Sequence, residues 1–142
     1  MKRGMSISIF LLTVSLILVG PGIVAWTAED TQTKSTPVTL NNKIFIGEMG
    51  KVGATKGDKD EFIFKAGQFR SSACDSYGFS SAPYKITVNG NIISFEAQTK
   101  SPTDGTMKWK GTVKGNAIEG TATWIKDGKK PIEHWFKGAS KS

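Results

Sequence analysis

The chain contains one cysteine, Cys74, and one histidine, His134, and these two side chains are the most suited to chemistry. A Cys–His pair is the minimum for thiol catalysis. With Met49 or Met107, the same pair would suit copper by the softness of its ligands. No local spacing joins these residues, and no third side chain can be identified that would orient the histidine. We therefore predict no catalytic residue, no metal site and no cofactor.

The isolated thiol of Cys74 leaves three roles open. It can be buried and inert against Phe69, Tyr77 or Phe79, it can bridge two chains, or it can be a reactive thiol activated near a helix N-terminus. Burial is favoured, because free cysteines are among the residues most often found in protein interiors.

The sequence lacks the recognised motifs of phosphate binding and nucleophilic catalysis. No glycine-rich loop follows a strand and opens a helix, and there is no serine nucleophile elbow and no paired-cysteine zinc or haem motif. The segment Asp58–Glu61 is similar to a calcium loop, but the glycine and the distal glutamate of the EF-hand are missing. We therefore predict that the protein is not an enzyme.

Residues 1–25 have the pattern of a secretory signal peptide with a basic start. Ile7–Val19 is an apolar stretch of thirteen residues, Pro21 breaks the helix, and Ala25 is the predicted cleavage position. The alternative is an uncleaved anchor, since Ile7–Trp26 is about twenty residues and long enough to span a bilayer. The Pro-Gly break and the short apolar stretch favour cleavage, so we expect an exported protein, periplasmic or extracellular.

The net charge and the spread of the lysines indicate which classes of binding partner to expect. The formal net charge is +7, of which Lys2 and Arg3 supply two, so about +5 is left after the signal peptide. That charge favours weak attraction to an anionic envelope surface such as phospholipid head groups. The lysines are spread rather than clustered, so we do not predict nucleic acid as a partner. Residues 26–42 are polar and lack an apolar period, which predicts a flexible leader.

A first hairpin is predicted around Asn89-Gly90, because Asn-Gly between alternating apolar and polar residues is the strongest short hairpin signal. With these two residues as the loop, Ile86 pairs with Ile93 and Tyr84 pairs with Phe95. One face is then apolar and the other polar, as in a half-buried antiparallel strand.

A second hairpin turns at Gly115-Asn116 and has a sharper pattern. In one of its inward pairs a large residue, Trp109, faces a small one, Ala122, as interlocking layers require. A slip of one residue would exchange the two faces, so the register is strongly specified. The predicted pairs are Val113 with Ile118, Gly111 with Gly120, Trp109 with Ala122 and Met107 with Trp124.

Gly111 and Gly120, which face each other in this hairpin, admit two interpretations. They mark a bend or a close approach by another element, as glycine inside a strand usually does, or they leave a notch for a ligand. The first interpretation is favoured. The second supplies the candidate ligand-binding residues of the sequence: Trp109, Gly111, Gly120 and Trp124.

The third turn, around Asp127-Gly128, is compatible with two loop lengths. A two-residue loop places Trp135 and a carboxylate on the core face. A three-residue loop with a bulge instead turns Ile132, His134 and Phe136 inward. We predict the second, because it buries apolar residues and no carboxylate, and it leaves Trp135 outward.

These patterns predict an all-β domain over residues 43–138, with a tail at 139–142 and an N-terminal signal helix. The domain is an antiparallel up-and-down meander of seven or eight strands, closed or nearly closed into a small barrel. Closure is favoured, because an open sheet would expose edge strands in a chain with few helices to cover them. Ser71–Ala82 interrupts the strands and predicts one helical turn that ends at Gly78. The predicted core consists of Ile44 or Phe45, Phe62, Phe64, Tyr84, Ile86, Ile93, Phe95, Trp109, Val113, Ile118 and Trp124.

Two strings of residues resemble a group of small exported bacterial proteins of unknown function. They are Phe69-x-Ser71-x-x-Cys74-x-x-Tyr77-Gly78-Phe79 and Trp109-x-Gly111-x-Val113-x-Gly115-x-x-Ile118-x-Gly120-Thr121-x-x-Trp124. The likeness covers Ile44–Gly138 and implies no activity and no site residue. More distantly, the meander resembles the small up-and-down barrels of the lipocalin and avidin type, although the lipocalin Gly-x-Trp signature is absent at Gly47.

The barrel pattern, the aromatic interior and the small residues along the strands favour one function. We expect non-catalytic binding of a small apolar or amphipathic ligand by an exported β-domain. The first alternative is an envelope-associated interaction protein that acts through its basic outer face and Trp135. The second alternative is a thiol enzyme or metal-binding protein centred on Cys74.

Overall fold

Eight strands follow one another around a closed antiparallel barrel, and the last strand pairs with the first. The computed structural model describes residues 38–142, so the predicted signal peptide and most of the predicted leader lie outside the described residues. The prediction of an all-β up-and-down barrel is confirmed, with eight strands and full closure. The strands are β1 (Lys43–Lys51), β2 (Asp58–Lys65), β3 (Gln68–Ser71), β4 (Ala82–Asn89), β5 (Ile92–Ser101), β6 (Gly105–Lys114), β7 (Ala117–Ile125) and β8 (Ile132–Ser140).

A 3₁₀ helix over Ser72–Tyr77, which we call the mouth helix, lies between β3 and β4. It ends at Gly78, whose φ of 78° is in the left-handed region that glycine adopts without strain. The predicted helical turn is therefore confirmed. Across residues 38–142, no helix is long and apolar enough to cross a membrane.

Gly111 and Gly120 are required by the packing of the β6–β7 hairpin. The four predicted pairs of this hairpin are all present. A Cβ atom on Gly111 would lie 2.5 Å from the ring of Phe95 and 2.7 Å from the ring of Phe136. A Cβ atom on Gly120 would lie 2.2 Å from the carbonyl oxygen of Lys110. The glycines therefore allow close approach, and aromatic rings occupy the space that an inner notch would offer.

The β4–β5 hairpin differs from the prediction in its register. Ile86 pairs with Phe95 instead of Ile93, so the loop is Gly90-Asn91 rather than Asn89-Gly90. Gly90 has a φ of 60° and takes the first central position of the turn, where a type II′ turn places glycine. Because the offset is two residues, the inward and outward faces of both strands are still the ones predicted.

The connection from β7 to β8 covers residues 126–131, so the predicted three-residue loop is wrong. Pro131 has no backbone N–H to donate, and regular pairing begins only after it. The predicted faces are nevertheless correct: Phe136 is buried, and Ile132 and His134 point to the same side of β8.

Aromatic rings fill the barrel interior. Neighbouring ring centroids lie 5.0 to 6.4 Å apart in tilted or edge-to-face arrangements, which aromatic quadrupoles favour. The indole N–H of Trp109 donates to the hydroxyl of Thr99 at 3.0 Å, so this buried polar group is satisfied. Among residues 38–142, seven aromatic side chains are at most 1% exposed: Phe45, Phe62, Phe64, Phe69, Phe95, Trp109 and Phe136.

Most of the predicted core is confirmed. Phe45, Phe62, Phe64, Phe95, Trp109, Val113 and Ile118 are buried. Four other predicted members are only partly buried and pack against the core: Tyr84, Ile86, Ile93 and Trp124. The core prediction omitted further buried residues, among them Leu40, Phe69, Phe79, Met107 and Phe136.

The two ends of the barrel differ. Where β1 begins, Leu40 is fully buried although it belongs to the predicted leader, and the side chain of Asn41 accepts a hydrogen bond from the N–H of Gly67 at 2.8 Å. Strand β8 continues to Ser140, into the predicted tail. The opposite end, where β1 ends and β8 begins, carries the mouth helix and the longer loops.

Candidate functional site

A cavity of about 620 Å³ opens at the end of the barrel that carries the mouth helix, and we call it the mouth cavity. This volume falls within the range of small-molecule sites. Buried side chains form its floor, half-buried side chains its walls and exposed side chains its rim. The floor includes Cys74, Phe79 and Met107, the walls include Met49, Trp124, Ile132 and His134, and the rim includes Lys51, Asp58 and Tyr77.

The mouth helix is fixed to the barrel at both of its ends. At its start, the carboxylate of Asp60 accepts hydrogen bonds from the hydroxyl of Ser71 at 2.6 Å and from the N–H of Ala73 at 3.0 Å. At its end, the hydroxyl of Ser101 donates to the carbonyl oxygen of Tyr77 at 2.6 Å. The helix is thereby held in place as one side of the mouth cavity.

Asp60 is the buried carboxylate on which this attachment depends, with 2% exposure. Burial raises the pKa of the carboxyl, and the hydrogen bonds from Ala73, Ser71 and Ser72 oppose that rise. The structure places Asp58 and Asp60 in β2, where both pair with inward positions of β1. From the sequence, Asp60 is only part of a segment similar to a calcium loop, because no local pattern shows that the hydroxyl of Ser71 and the N–H of Ala73 reach its carboxylate.

Cys74 is buried, with 4% exposure, and lies on the floor of the cavity. Burial raises the pKa of its thiol to about 11, and the charges of Asp60 and Asp75 act in the same direction. A catalytic cysteine needs a lowered pKa, so the surroundings of Cys74 are the opposite of those that activate a thiol. Of its three predicted neighbours, Tyr77 is 61% exposed, whereas Phe69 and Phe79 are buried.

The structure brings together the four side chains that the sequence leaves unconnected. Met49 on β1 and His134 on β8 are diagonal neighbours in the register of these two strands. Met107 enters from β6 and Cys74 from the mouth helix. All four line the mouth cavity. They converge because the barrel is closed, so that β1 pairs with β8 although most of the domain's sequence lies between these two strands.

The imidazole of His134 is half buried, and its Nδ1 atom is buried without a hydrogen-bond partner among the described residues. Burial lowers the pKa of the imidazole, while the nearby backbone carbonyls of Ala122 and Ile132 partly offset this. The neutral ring, which is the form that binds metals, is thus favoured at neutral pH.

The four predicted ligand-binding residues do not share a cavity. Trp124 lines the mouth cavity, and its indole N–H donates to the carbonyl oxygen of Asp104 at 2.7 Å. Trp109 lies in the core. Gly111 and Gly120 instead line an open groove of about 770 Å³ whose other side chains lie mostly on the outer face of the barrel.

Trp135 forms one wall of this outer groove. Its indole N–H donates to the carbonyl oxygen of Ala54 at 3.0 Å, which ties the β1–β2 loop to β8. Side chains of both charges line the groove: Lys110 lies 3.5 Å from Glu96, and Lys137 pairs across the strands with Glu119. The groove is therefore not a basic patch.

Within residues 38–142, no three His, Cys, Asp or Glu side chains are grouped closely enough to hold a metal ion. A metal at the mouth would therefore depend on methionine as well. No family model, no curated protein and no solved structure matches the chain. The resemblances to small exported proteins and to lipocalin-type barrels thus stay predictions, and the mouth cavity is the basis for a functional assignment.

Proposed function

We propose that the protein is a non-catalytic binding protein that holds a small amphipathic molecule in the mouth cavity. The observation that carries this proposal is the cavity of about 620 Å³ with an apolar floor and a polar rim. Phe79, Trp124 and Ile132 would contact the apolar part of the ligand. Lys51 and Asp58 at the rim would contact its polar group.

Two features of the barrel support a site at the mouth. The interior beneath the cavity is filled by aromatic side chains, so a ligand has its room above Met107 and Phe79 rather than in the centre. The mouth helix is already fixed by Asp60 and Ser101, so little ordering has to accompany binding. The raised pKa of Cys74 supports a non-catalytic role, because it leaves the thiol protonated at neutral pH.

A fluorescence titration with N-phenyl-1-naphthylamine, an apolar probe with one polar group, tests the proposal. We expect saturable binding to the wild-type protein and at least tenfold weaker binding to Ile132→Asp, because a carboxylate in the cavity wall must be desolvated. Ile46→Asp is the matched control, since Ile46 is 47% exposed and does not line the cavity. Absence of saturable binding, or an equal loss in both variants, would refute the proposal.

Export and association with an anionic envelope surface form a second proposal. They depend on the predicted signal peptide and on the charge of about +5 that follows it. The mixed charges of the outer groove do not favour that groove as the contact surface. Co-sedimentation with anionic phospholipid vesicles at low and physiological salt tests this proposal, and equal recovery with neutral vesicles would contradict it.

A further inference from the structure

The mouth cavity contains metal-binding side chains that an amphipathic ligand does not require. The chain has one cysteine, one histidine and four methionines, and the cavity is lined by both single residues and by two of the methionines. We propose that Met49, Cys74, Met107 and His134 bind one Cu(I) ion at the mouth of the barrel. The inference concerns the same cavity as the proposed function but does not depend on an organic ligand.

The donor set selects the metal. Thioether and thiolate sulfur are soft ligands that favour Cu(I), and imidazole also binds copper. Two of the four donors are thioethers, which structural zinc sites do not use. The chain has a single histidine, so it cannot build the site of two histidines and one cysteine that is typical of blue copper proteins. The reduced ion is therefore the form that this set matches.

The strand register places the donors around one end of the barrel. Met49 and His134 are diagonal neighbours across β1 and β8, a relation that puts Cα atoms about 7–8 Å apart and within reach of long side chains. Met107 pairs with Trp124, which in turn pairs with Ile132, two residues before His134. Methionine has three rotatable side-chain bonds, so both thioethers can adjust to a shared ion.

Two further features bear on how an ion would be held at this place. The Nδ1 atom of His134 is buried without a hydrogen-bond partner among the described residues, and the backbone carbonyls of Ala122 and Ile132 lie near the ring, so Nε2 is the nitrogen that would bind the ion while Nδ1–H turns to these carbonyls. The mouth helix, which lies between β3 and β4 at this end of the barrel, supplies Cys74. When Cys74 coordinates, its thiol proton passes to solvent and the sulfur binds as the thiolate; the thioethers and the neutral imidazole lose no proton.

Competition for Cu(I) against bicinchoninate, under anaerobic reducing conditions, tests the site. We expect one Cu(I) per chain and an affinity at least tenfold lower in each of Met49→Leu, Met107→Leu, Cys74→Ser and His134→Gln. The Met→Leu changes keep side-chain volume nearly constant, so they remove the donor without emptying the core. Ile46→Leu is the matched control outside the cavity and should keep the wild-type affinity.

A second readout reports coordination directly. In protein labelled with [methyl-¹³C]methionine, Ag(I), a redox-stable substitute for Cu(I), should shift the methyl signals of Met49 and Met107, which the two Leu variants assign. Failure of the wild-type protein to retain Cu(I), unshifted methyl signals, or wild-type affinity in both Met→Leu variants would overturn the site.

The two proposals for this cavity fail separately. Binding of N-phenyl-1-naphthylamine without retention of Cu(I) would overturn the metal site alone. Retention of Cu(I) without binding of the organic probe would overturn the amphipathic-ligand proposal alone and would support the metal site.

Discussion

Asp60→Ala should detach the start of the mouth helix and destabilise the barrel. The substitution removes the acceptor for the hydroxyl of Ser71 and the N–H of Ala73, which lie 2.6 and 3.0 Å from the carboxylate. An unsatisfied buried donor costs about 1–3 kcal/mol. Asp60→Ala leaves two donors without an acceptor, but it also removes the cost of burying a carboxylate. The net expected decrease in the free energy of unfolding is about 2–4 kcal/mol.

Asp60→Asn is the matched control for this change. The amide keeps one oxygen to accept from Ala73 and offers an N–H₂ group to the hydroxyl of Ser71, so the helix should stay attached. We expect the free energy of unfolding to change by no more than about 1 kcal/mol at pH 7. Both variants would be measured by urea unfolding, followed through tryptophan fluorescence, together with amide hydrogen exchange over Ser72–Tyr77.

The pH dependence of stability, compared between the wild type and Asp60→Asn, provides an independent check. Burial raises the pKa of Asp60 in the folded state above its ordinary value of 3.8, so the folded protein holds this proton more tightly than the unfolded chain. The stability of the wild type relative to Asp60→Asn should therefore rise as the pH falls from 7 towards 4. A relative stability that falls over this range, or equal losses in Asp60→Ala and Asp60→Asn at pH 7, would refute the reasoning.

Three further substitutions or modifications test other parts of the structure. Gly120→Ala should lower the free energy of unfolding by about 1–3 kcal/mol, because its Cβ would lie 2.2 Å from the carbonyl oxygen of Lys110; a change below about 0.5 kcal/mol in urea unfolding would contradict this. Cys74 should react with Ellman's reagent at pH 7.5 at least tenfold more slowly in the native protein than in urea, and equal rates would contradict its burial. Trp135→Phe should speed amide exchange in residues 52–57 by removing the bond to Ala54, with exchange elsewhere in the barrel as the control.

The β6–β7 register could be predicted from the sequence because it is determined by local patterns. Apolar and polar residues alternate on both strands, the large Trp109 faces the small Ala122, and Gly115 supplies the positive φ that the turn needs. The β4–β5 register was less determined, since Asn89, Gly90 and Asn91 offer two loops that are one residue apart. The two loops give pairings that differ by two residues and expose the same faces. Side-chain alternation distinguishes odd shifts from even ones, but it does not distinguish between even shifts.

The mouth cavity could not be predicted in the same way, because its residues meet only through long-range pairing. Met49 and His134 become neighbours when β8 closes against β1, and neither strand carries a local signal for that contact. Cys74 joins them because Asp60 in β2 holds the start of the mouth helix. Irregular segments on a rigid sheet often carry sites, and the interruption of the strand pattern at Ser71–Ala82 is the one local feature of the sequence that marks this end of the barrel.

The same long-range pairing makes ligand binding and global stability inseparable in this barrel. The walls and floor of the cavity come from β1, β6, β7, β8, the mouth helix and Phe79 just after it. A molecule or ion that contacts Met49, Met107 and His134 therefore bridges segments distant in sequence. The unfolded chain has no such cavity. A ligand at a free concentration of 100 times its dissociation constant should therefore add about 2.7 kcal/mol to the free energy of unfolding. Because the interior rings already fill the barrel without a ligand, this gain should appear as stabilisation of a folded protein, and not as folding induced by binding.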